Sequence, residues 1–353
     1  MQLKELRDNI DNIDFQILKL LNERYENALK ISKLKDKIEG QNREQEIFEK
    51  VKNNSFKLLD ASFITDVYKK IITYSRELQS KDLKLIGFQG EHGAYSEEAA
   101  ITYNREYVPI PFSEFKEIFD NVEKGILDYG IVPVENSIGG AVTEVNDLLL
   151  NTNLYIVGEM KIKINHCLLK NKETDYRDLR VVYSHPQALA QCRNFLIRNK
   201  LEARPYYNTA GAAKMLASEK PNGAAVIAGK LCAKLYNLEI IKENIEDNYN
   251  NITRFVIIAK QPSEKGNKCS IVFSTPHKAG TLFNILKIFA EAKINLTRIE
   301  SISMIEDKLN YAFFLDFIGN PNDKIIGDTL NKVKKETSMY KFLGCYQESK
   351  IKF

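Results

Sequence analysis

No stretch of the 353 residues approaches eighteen consecutive apolar positions, so no membrane-spanning helix is expected. The N-terminus also lacks the apolar core of a signal peptide, because Met1-Gln2-Leu3-Lys4-Glu5-Leu6-Arg7 opens an amphipathic helix instead. Cysteine is sparse and shows no pairing pattern. The five (Cys167, Cys192, Cys232, Cys269 and Cys345) are odd in number, scattered and without a CxxC pair. That excludes a disulfide framework and a zinc site, and it suits a reducing cytoplasm. A strong charge of one sign is missing too. A net charge of +4, evenly spread, leaves no nucleic-acid footprint, although locally placed Arg and Lys suit small dianionic substrates. There is no internal repeat and no low-complexity segment. What remains is a soluble composition, 44% apolar and 28% charged, on a chain too long for one core, so two or three domains are expected.

Residues 3 to about 80 read as helix. Leu3, Leu6, Ile10, Ile13, Ile17, Leu20, Leu21 and Leu29 recur at helical spacing, with no Gly or Pro before Gly40. A helix of roughly 35 residues is about 50 Å long and cannot be covered by one small partner, so an intertwined dimer is expected. A second helix is predicted with Asn42 as N-cap and Gln45 in the capping-box position, and a third from Ala61 to Leu78. After a short polar linker at Gln79–Leu83, β-runs such as Leu85–Phe88, Gly130–Val134, Leu154–Val157, Val181–Tyr183, Ala224–Ile227 and Phe255–Ala259 alternate with helical stretches. Among the latter are Ser113–Lys124, Val142–Leu150, Gln187–Arg198 and Thr209–Ser218, an α/β pattern with open sheets. A second linker, Gln261–Lys268, precedes a β-α-β-β-α-β order of the ferredoxin-like kind.

In the helical third, charges sit where a bundle prefers apolar residues. Arg24 and Lys35 share a helix face, while Arg7 lies about 25 Å away along the axis and can join their pocket only from a partner chain. Ser75 and Gln79 form an i, i+4 pair, and Arg43-Glu44 open the middle helix. With these residues, residues 1–82 resemble the all-helical chorismate mutase family. The resemblance implies that Arg24, Arg43 and a partner's Arg7 clamp two carboxylates. Lys35 and Gln79 then meet the ether oxygen as charge develops, and Glu44 and Ser75 hold the hydroxyl side. A Claisen rearrangement needs a compact conformer and electrostatic stabilisation rather than a nucleophile. One departure is that Ile38-Glu39-Gly40-Gln41-Asn42 replaces the family's Tyr-Asp-Pro-like turn. The Asp position falls on Gly40, so that ring contact is missing or supplied by Glu39.

Three polar clusters in the central part each follow a strand and precede a helix: Gln89–Ser96, Val132–Gly140 and Ser184–Gln187 with Gln191. Ligands in open α/β sheets bind beyond strand carboxyl ends, so the clusters point to one cleft. Gly90-x-x-Gly93 lacks the dinucleotide spacing, and no NAD site or other cofactor is expected. Together with Asn251-Ile252-Thr253-Arg254-Phe255, Thr209–Ala213 and Asn165–Leu169, these clusters make residues 84–261 similar to the prephenate dehydratase family. The implied fold is two α/β subdomains resembling periplasmic binding proteins, with the active site between them. The implied reaction expels CO₂ and the ring hydroxyl. Hydroxide leaves poorly, so a proton or strong hydrogen bond is needed at its departure. Thr253 takes that task by resemblance, within a relay drawn from Glu135, Asn136, Ser184 and Gln191. Ser137 and Thr209 are further substrate contacts. Arg254 either offsets substrate charge or is a salt-bridge partner, and His166 and His185 are structural. The same runs also resemble arogenate dehydratases, but an attached mutase would make prephenate.

Residues 268–353 resemble an ACT regulatory domain. Ala279, Gly280, Thr281 and Leu282 match the family's strand-to-helix turn for a free amino acid, where Gly280 admits close backbone approach. Glu300-Ser301 match the first half of a Glu-Ser-Arg-Pro element whose second half is Ile302-Ser303 here. The whole then reads as a three-module, at least dimeric enzyme taking chorismate through prephenate to phenylpyruvate, metal-free and under phenylalanine feedback. A non-catalytic amino-acid sensor is the rival reading.

Overall fold

The computed structural model describes residues 3–34, 40–53, 58–263, 265–303 and 311–349. It divides into two compact units, the N-terminal helices through Leu85 (with Gly125–Leu127) and the remainder of the chain.

The first unit holds α1 (Leu3–Leu34), α2 (Gly40–Asn53) and α3 (Ala61–Ser80). Asp60 caps α3 by accepting from the Ser62 amide at 3.0 Å. The middle helix begins at Gly40, two residues before the expected Asn42 cap. Leu29, Ile64 and Ile72 are buried, whereas Leu3, Leu6, Ile10, Ile13, Ile17 and Leu20 on α1 are all exposed.

The second unit opens with β1 (Leu85–Gln89), α4 (Tyr95–Tyr103), β2 (Val108–Phe112), α5 (Phe115–Lys124), β3 (Tyr129–Asn136), β4 (Gly140–Ala141), α6 (Thr143–Asn151) and β5 (Tyr155–Lys163). The chain then leaves for a second sheet: β6 (Cys167–Lys170), β7 (Val181–Ser184), α7 (Pro186–Gln191), α8 (Arg193–Arg198), β8 (Glu202–Pro205), α9 (Thr209–Glu219), β9 (Ala224–Ala228), α10 (Lys230–Leu235) and β10 (Glu239–Lys242). Strand β11 (Ile252–Ala259) returns to the first sheet, between β3 and β5, so its order is β2-β1-β3-β11-β5. The second sheet runs β10-β6-β9-β7-β8. Two crossings of the chain therefore join two mixed-sheet subdomains.

Several short elements escape the sequence pattern for physical reasons. β2 carries Pro109 and Pro111 and is tolerated because it is an edge strand. β8 is an edge strand with no buried residue and hence no alternation. The single helix expected over 187–198 breaks at Cys192, whose amide bonds to both Ala188 O and Leu189 O.

The chain ends in β12 (Lys268–Ser274), α11 (Thr281–Glu291), β13 (Leu296–Ser303), β14 (Tyr311–Ile318), α12 (Lys324–Glu336) and β15 (Met339–Tyr346). These strands form an antiparallel sheet in the order β13-β14-β12-β15.

Candidate functional site

Strand β11 starts with polar residues and ends in Phe-Val-Ile-Ile, the tail being core and the head lying at the crossing between the two sheets. A cleft of about 490 Å³ opens there. Its walls come from the turn before α4 (Gln89, Ala94–Ser96), from β3 and the loop to α6 (Pro133, Asn136, Gly139–Val142), from α7 (Gln187, Ala188, Gln191), from Tyr207–Thr209 and from Asn251 and Thr253. Among the described lining residues none is Asp, Glu, Lys or Arg.

The polar groups of the cleft form one line of hydrogen bonds that converges from both ends on Gln191 Oε1. Asn136 Oδ1 accepts from the amides of Ile138 (3.1 Å) and Gly139 (2.7 Å), which fixes the orientation of its side-chain amide. Its Nδ2 therefore points the other way, to Thr253 Oγ1 at 2.9 Å and Asn251 Oδ1 at 2.7 Å. Asn251 in turn donates to Gln191 Oε1 at 3.0 Å, and that oxygen lies 2.9 Å from His166 Nε2. An acceptor at that position requires the proton of His166 on Nε2. The Tyr95 hydroxyl closes the line, 2.9 Å from His166 Nδ1 and 2.8 Å from Asn165 O. Burial holds His166 below the ordinary imidazole range, with the Gln191 bond and Glu246 pulling the other way. The ring is thus neutral near pH 7 and fits a link in the chain better than an acid.

Strand alternation sorts the remaining sequence-predicted residues. Thr253 pairs with Asn136 in the ladder and faces the cleft, so Arg254 and its partner Glu135 face the opposite side. Neither lines the cleft, and Arg254 is instead buried in ion pairs with Glu159 and Asp316. The alternative in which Arg254 offsets substrate charge gives way to the salt-bridge one. Ser184 is also off the cleft wall, because it is buried and donates to Ile227 O at 2.6 Å. Ser137 is a strut rather than a lining group: it donates to Asn250 O and accepts from the Ile252 amide. Asn136, Gln191, Thr209 and Thr253 line the cleft.

In the helical unit Arg24 donates to Ser75 Oγ at 2.6 Å, and Gln79 Nε2 to Ala28 O at 2.6 Å, so three expected site residues meet between α1 and α3. Glu44 pairs with Arg76, and exposed Arg43 pairs with Glu46 at 2.6 Å. Arg7 is exposed near the start of α1. Lys35 and Glu39 lie outside the described residues.

Comparison with known proteins bears on both units. Residues 86–263 match the prephenate dehydratase family, and residues 6–80 match chorismate mutase type II. The bifunctional chorismate mutase/prephenate dehydratase of Aquifex aeolicus is 34% identical over 99% of this chain and 98% of its own. The chain belongs to this bifunctional family. It is a chorismate mutase and a prephenate dehydratase, and the two reactions lead from chorismate through prephenate to phenylpyruvate. A chloroplastic arogenate dehydratase/prephenate dehydratase of Arabidopsis thaliana is 40% identical over 74% of this chain and 72% of its own. The solved prephenate dehydratase of Arthrobacter aurescens, in complex with L-Phe, covers 75% of this chain and 90% of its own with a TM-score of 0.69 at 28% identity.

In this enzyme the amide of Asn251 and the hydroxyl of Tyr95 join the polar line in addition to the residues expected from the sequence. Their signal was the position of Asn251 two residues before Thr253, and a Tyr in the Gln89–Ser96 cluster. The expected effector residues fall in two places. Gly280 (φ +84°) and Thr281 begin α11, with the Thr281 hydroxyl bonded to Pro276 O and Lys278 O. Ala279 and Leu282 flank them, while Glu300 and Ser301 are on β13. Strand β14 separates β13 from β12, the strand that leads to the Gly280 turn.

Proposed function

We propose that Thr253 protonates the departing hydroxide of prephenate. The observation that carries this is the Asn136 amide donating to Thr253 Oγ1, which leaves the threonine's own hydrogen to point into the cleft. As the C–CO₂ bond breaks, its electron pair enters the ring and expels the hydroxyl, which leaves as water after taking the Thr253 proton. Solvent then restores that proton. A threonine hydroxyl is a weak acid, but the group it serves is hydroxide, whose conjugate acid is about as weak, so the transfer is nearly balanced. The Asn136 donor stabilises the negative charge left on Oγ1.

Substrate carboxylates meet backbone amides rather than side-chain cations. The opening turns of α4 and α6 have no side-chain cap, so their first amides are available to an anion. The absence of Asp and Glu among the described lining residues favours the keto group of prephenate over the ammonium of arogenate. In a competition assay prephenate is expected to be consumed at least tenfold faster, a ratio worth about 1.4 kcal/mol. Equal consumption would move the reading to arogenate. For Thr253→Ala a loss of about 10²–10⁴-fold in dehydratase kcat is expected with mutase kcat unchanged. An unchanged dehydratase rate would sink the assignment.

The helical unit supports the same resemblance-based reading of the mutase. Arg24, Arg43 and a partner's Arg7 bind carboxylates, Lys35 and Gln79 meet the ether oxygen, and Glu44 and Ser75 hold the ring hydroxyl. The exposed apolar stripe of α1 is covered by a second copy. The segment 268–353 is proposed as a ferredoxin-like ACT domain, on its β-α-β-β-α-β order, with phenylalanine as effector. Inhibition of the dehydratase by phenylalanine is the expected result, and indifference to millimolar phenylalanine would leave a purely structural module.

A further inference from the structure

The face of β11 turned away from the cleft is built around one guanidinium. Arg254 donates Nε to Glu159 on β5 (2.7 Å), Nη1 to Asp316 on β14 (2.5 Å) and Nη2 to the Tyr346 hydroxyl on β15 (2.9 Å). Lys268 on β12 adds a 2.9 Å bond to Glu159, and Ser270 bonds both Asp316 (2.5 Å) and Tyr346 (2.6 Å). All these groups are buried. Two acids and two bases balance, and every nitrogen of the guanidinium has an acceptor. The C-terminal sheet meets the first sheet at backbone distance here, since a Cβ on Gly344 of β15 would stand 2.1 Å from Ile156 O on β5.

Two further struts run from the C-terminal sheet to elements of the cleft. Arg298 on β13 reaches Asn146 of α6 at 3.4 Å and lies 4.0 Å from Glu135, the ladder partner of Arg254. Lys341 on β15 donates to Leu149 O, Leu150 O and Thr152 O at the end of α6, the helix that follows the cleft-lining residues Gly139–Val142.

We propose that Arg254 is a positioning residue for the dehydration: its ion cluster clamps β11 to the C-terminal sheet and so sets where the neighbouring Thr253 hydroxyl stands. This rests on the role given to Thr253. Strand geometry supplies the lever. Adjacent residues on a strand project to opposite faces, so a shift of the Arg254 side is carried to Thr253 through one peptide unit. A small misplacement of a reacting group is expensive even when its cause is remote.

The test separates positioning from folding by non-additivity. Asp316→Asn removes one arm of the clamp and touches neither the cleft nor the substrate. Tyr346→Phe removes a single oxygen and guards against a variant that fails to fold. Each is expected to lower dehydratase kcat about tenfold for Asp316→Asn and about threefold for Tyr346→Phe, with KM for prephenate unchanged. In a Thr253→Ala background both effects should vanish, because no hydroxyl remains to be placed. Equal losses in both backgrounds, or no loss in the wild-type background, would overturn the proposal and leave the assignment of Thr253 standing. Full activity of Thr253→Ala alone would overturn both.

Discussion

Along α1, Leu3, Ile10, Ile13 and Ile17 are each about half exposed or more, whereas Ile86, Phe88, Ile131 and Ile257 beneath the cleft have no exposed surface at all. The same chain thus carries one candidate site whose walls are finished by its own two subdomains and another beside an apolar helix face that is left open. In the first, the Asn136 amide is oriented by two backbone N–H groups of its own loop. In the second, Arg24, Ser75 and Gln79 gather between α1 and α3, while Arg7 stands exposed near the start of α1. An α/β cleft can be completed by strand ends that one fold brings together. A long helix with an exposed apolar stripe is the kind of surface that the proposed second copy would bury.

The largest effect that would break this contrast comes from charging the stripe. Ile13→Asp is expected to shift the chain toward monomer in sedimentation and to lower mutase activity on the order of a hundredfold, as loss of charged contacts from a partner's Arg7 demands. Dehydratase kcat measured on the same sample should stay within about twofold. If both activities fell together, the two sites would share the dimer contact and the contrast would fail.

A smaller effect sharpens the α/β side. Burial pushes the carboxyl of Asp316 up, but Arg254 and Arg298 pull it further down, so it stays below its ordinary range. Glu159 is likewise held low against burial by Arg254 and Lys268. A carboxyl depressed by folding contributes stability that is complete above its unfolded pKa of roughly 4 and is lost as pH falls through the folded value. Wild-type stability, followed by tyrosine near-UV circular dichroism, should therefore be flat down to about pH 4.5 and then drop. Asp316→Asn should start lower and fall less steeply, by up to about 1.4 kcal/mol per pH unit for one carboxyl removed. Parallel acid curves for the two proteins would show that Asp316 carries no such linkage.

How much of this was legible beforehand follows from what each residue's neighbours were. The long α1 and the β-α-β-β-α-β order were readable because apolar period and turn residues encode them locally. Asn136, Gln191, Thr209 and Thr253 could be named as candidates from motif clusters. Glu135, Ser184 and Arg254 came with them, since a motif marks a strand end without saying which face each residue takes. The register of Thr253 against Asn136 resolves that for Glu135 and Arg254, and the bond from Ser184 to Ile227 O resolves it for Ser184. A salt-bridge role for Arg254 was one of two readings open from the sequence, but its partners could not be named, because Glu159, Lys268, Asp316 and Tyr346 meet through four strands far apart in sequence. Asn42 as a cap failed for a simpler reason, that the helix already begins at Gly40 and Asn42 lies inside it.

The smallest effect concerns the strut farthest from the chemistry. Lys341 is half-buried and offers its ammonium to three carbonyls at the end of α6, where the helix dipole is negative. Lys341→Met keeps most of the apolar stem and removes the charge and its bonds, so a loss of about 1 kcal/mol is expected on unfolding of the α/β unit. Because α6 follows the Gly139–Val142 wall, part of that loss should appear as a raised KM for prephenate, about twofold. The mutase, carried by the separate helical unit, should show no change in KM for chorismate. A change there of the same size would mean that the C-terminal sheet serves both sites, and the two regions would then differ less than their exposed and buried surfaces indicate.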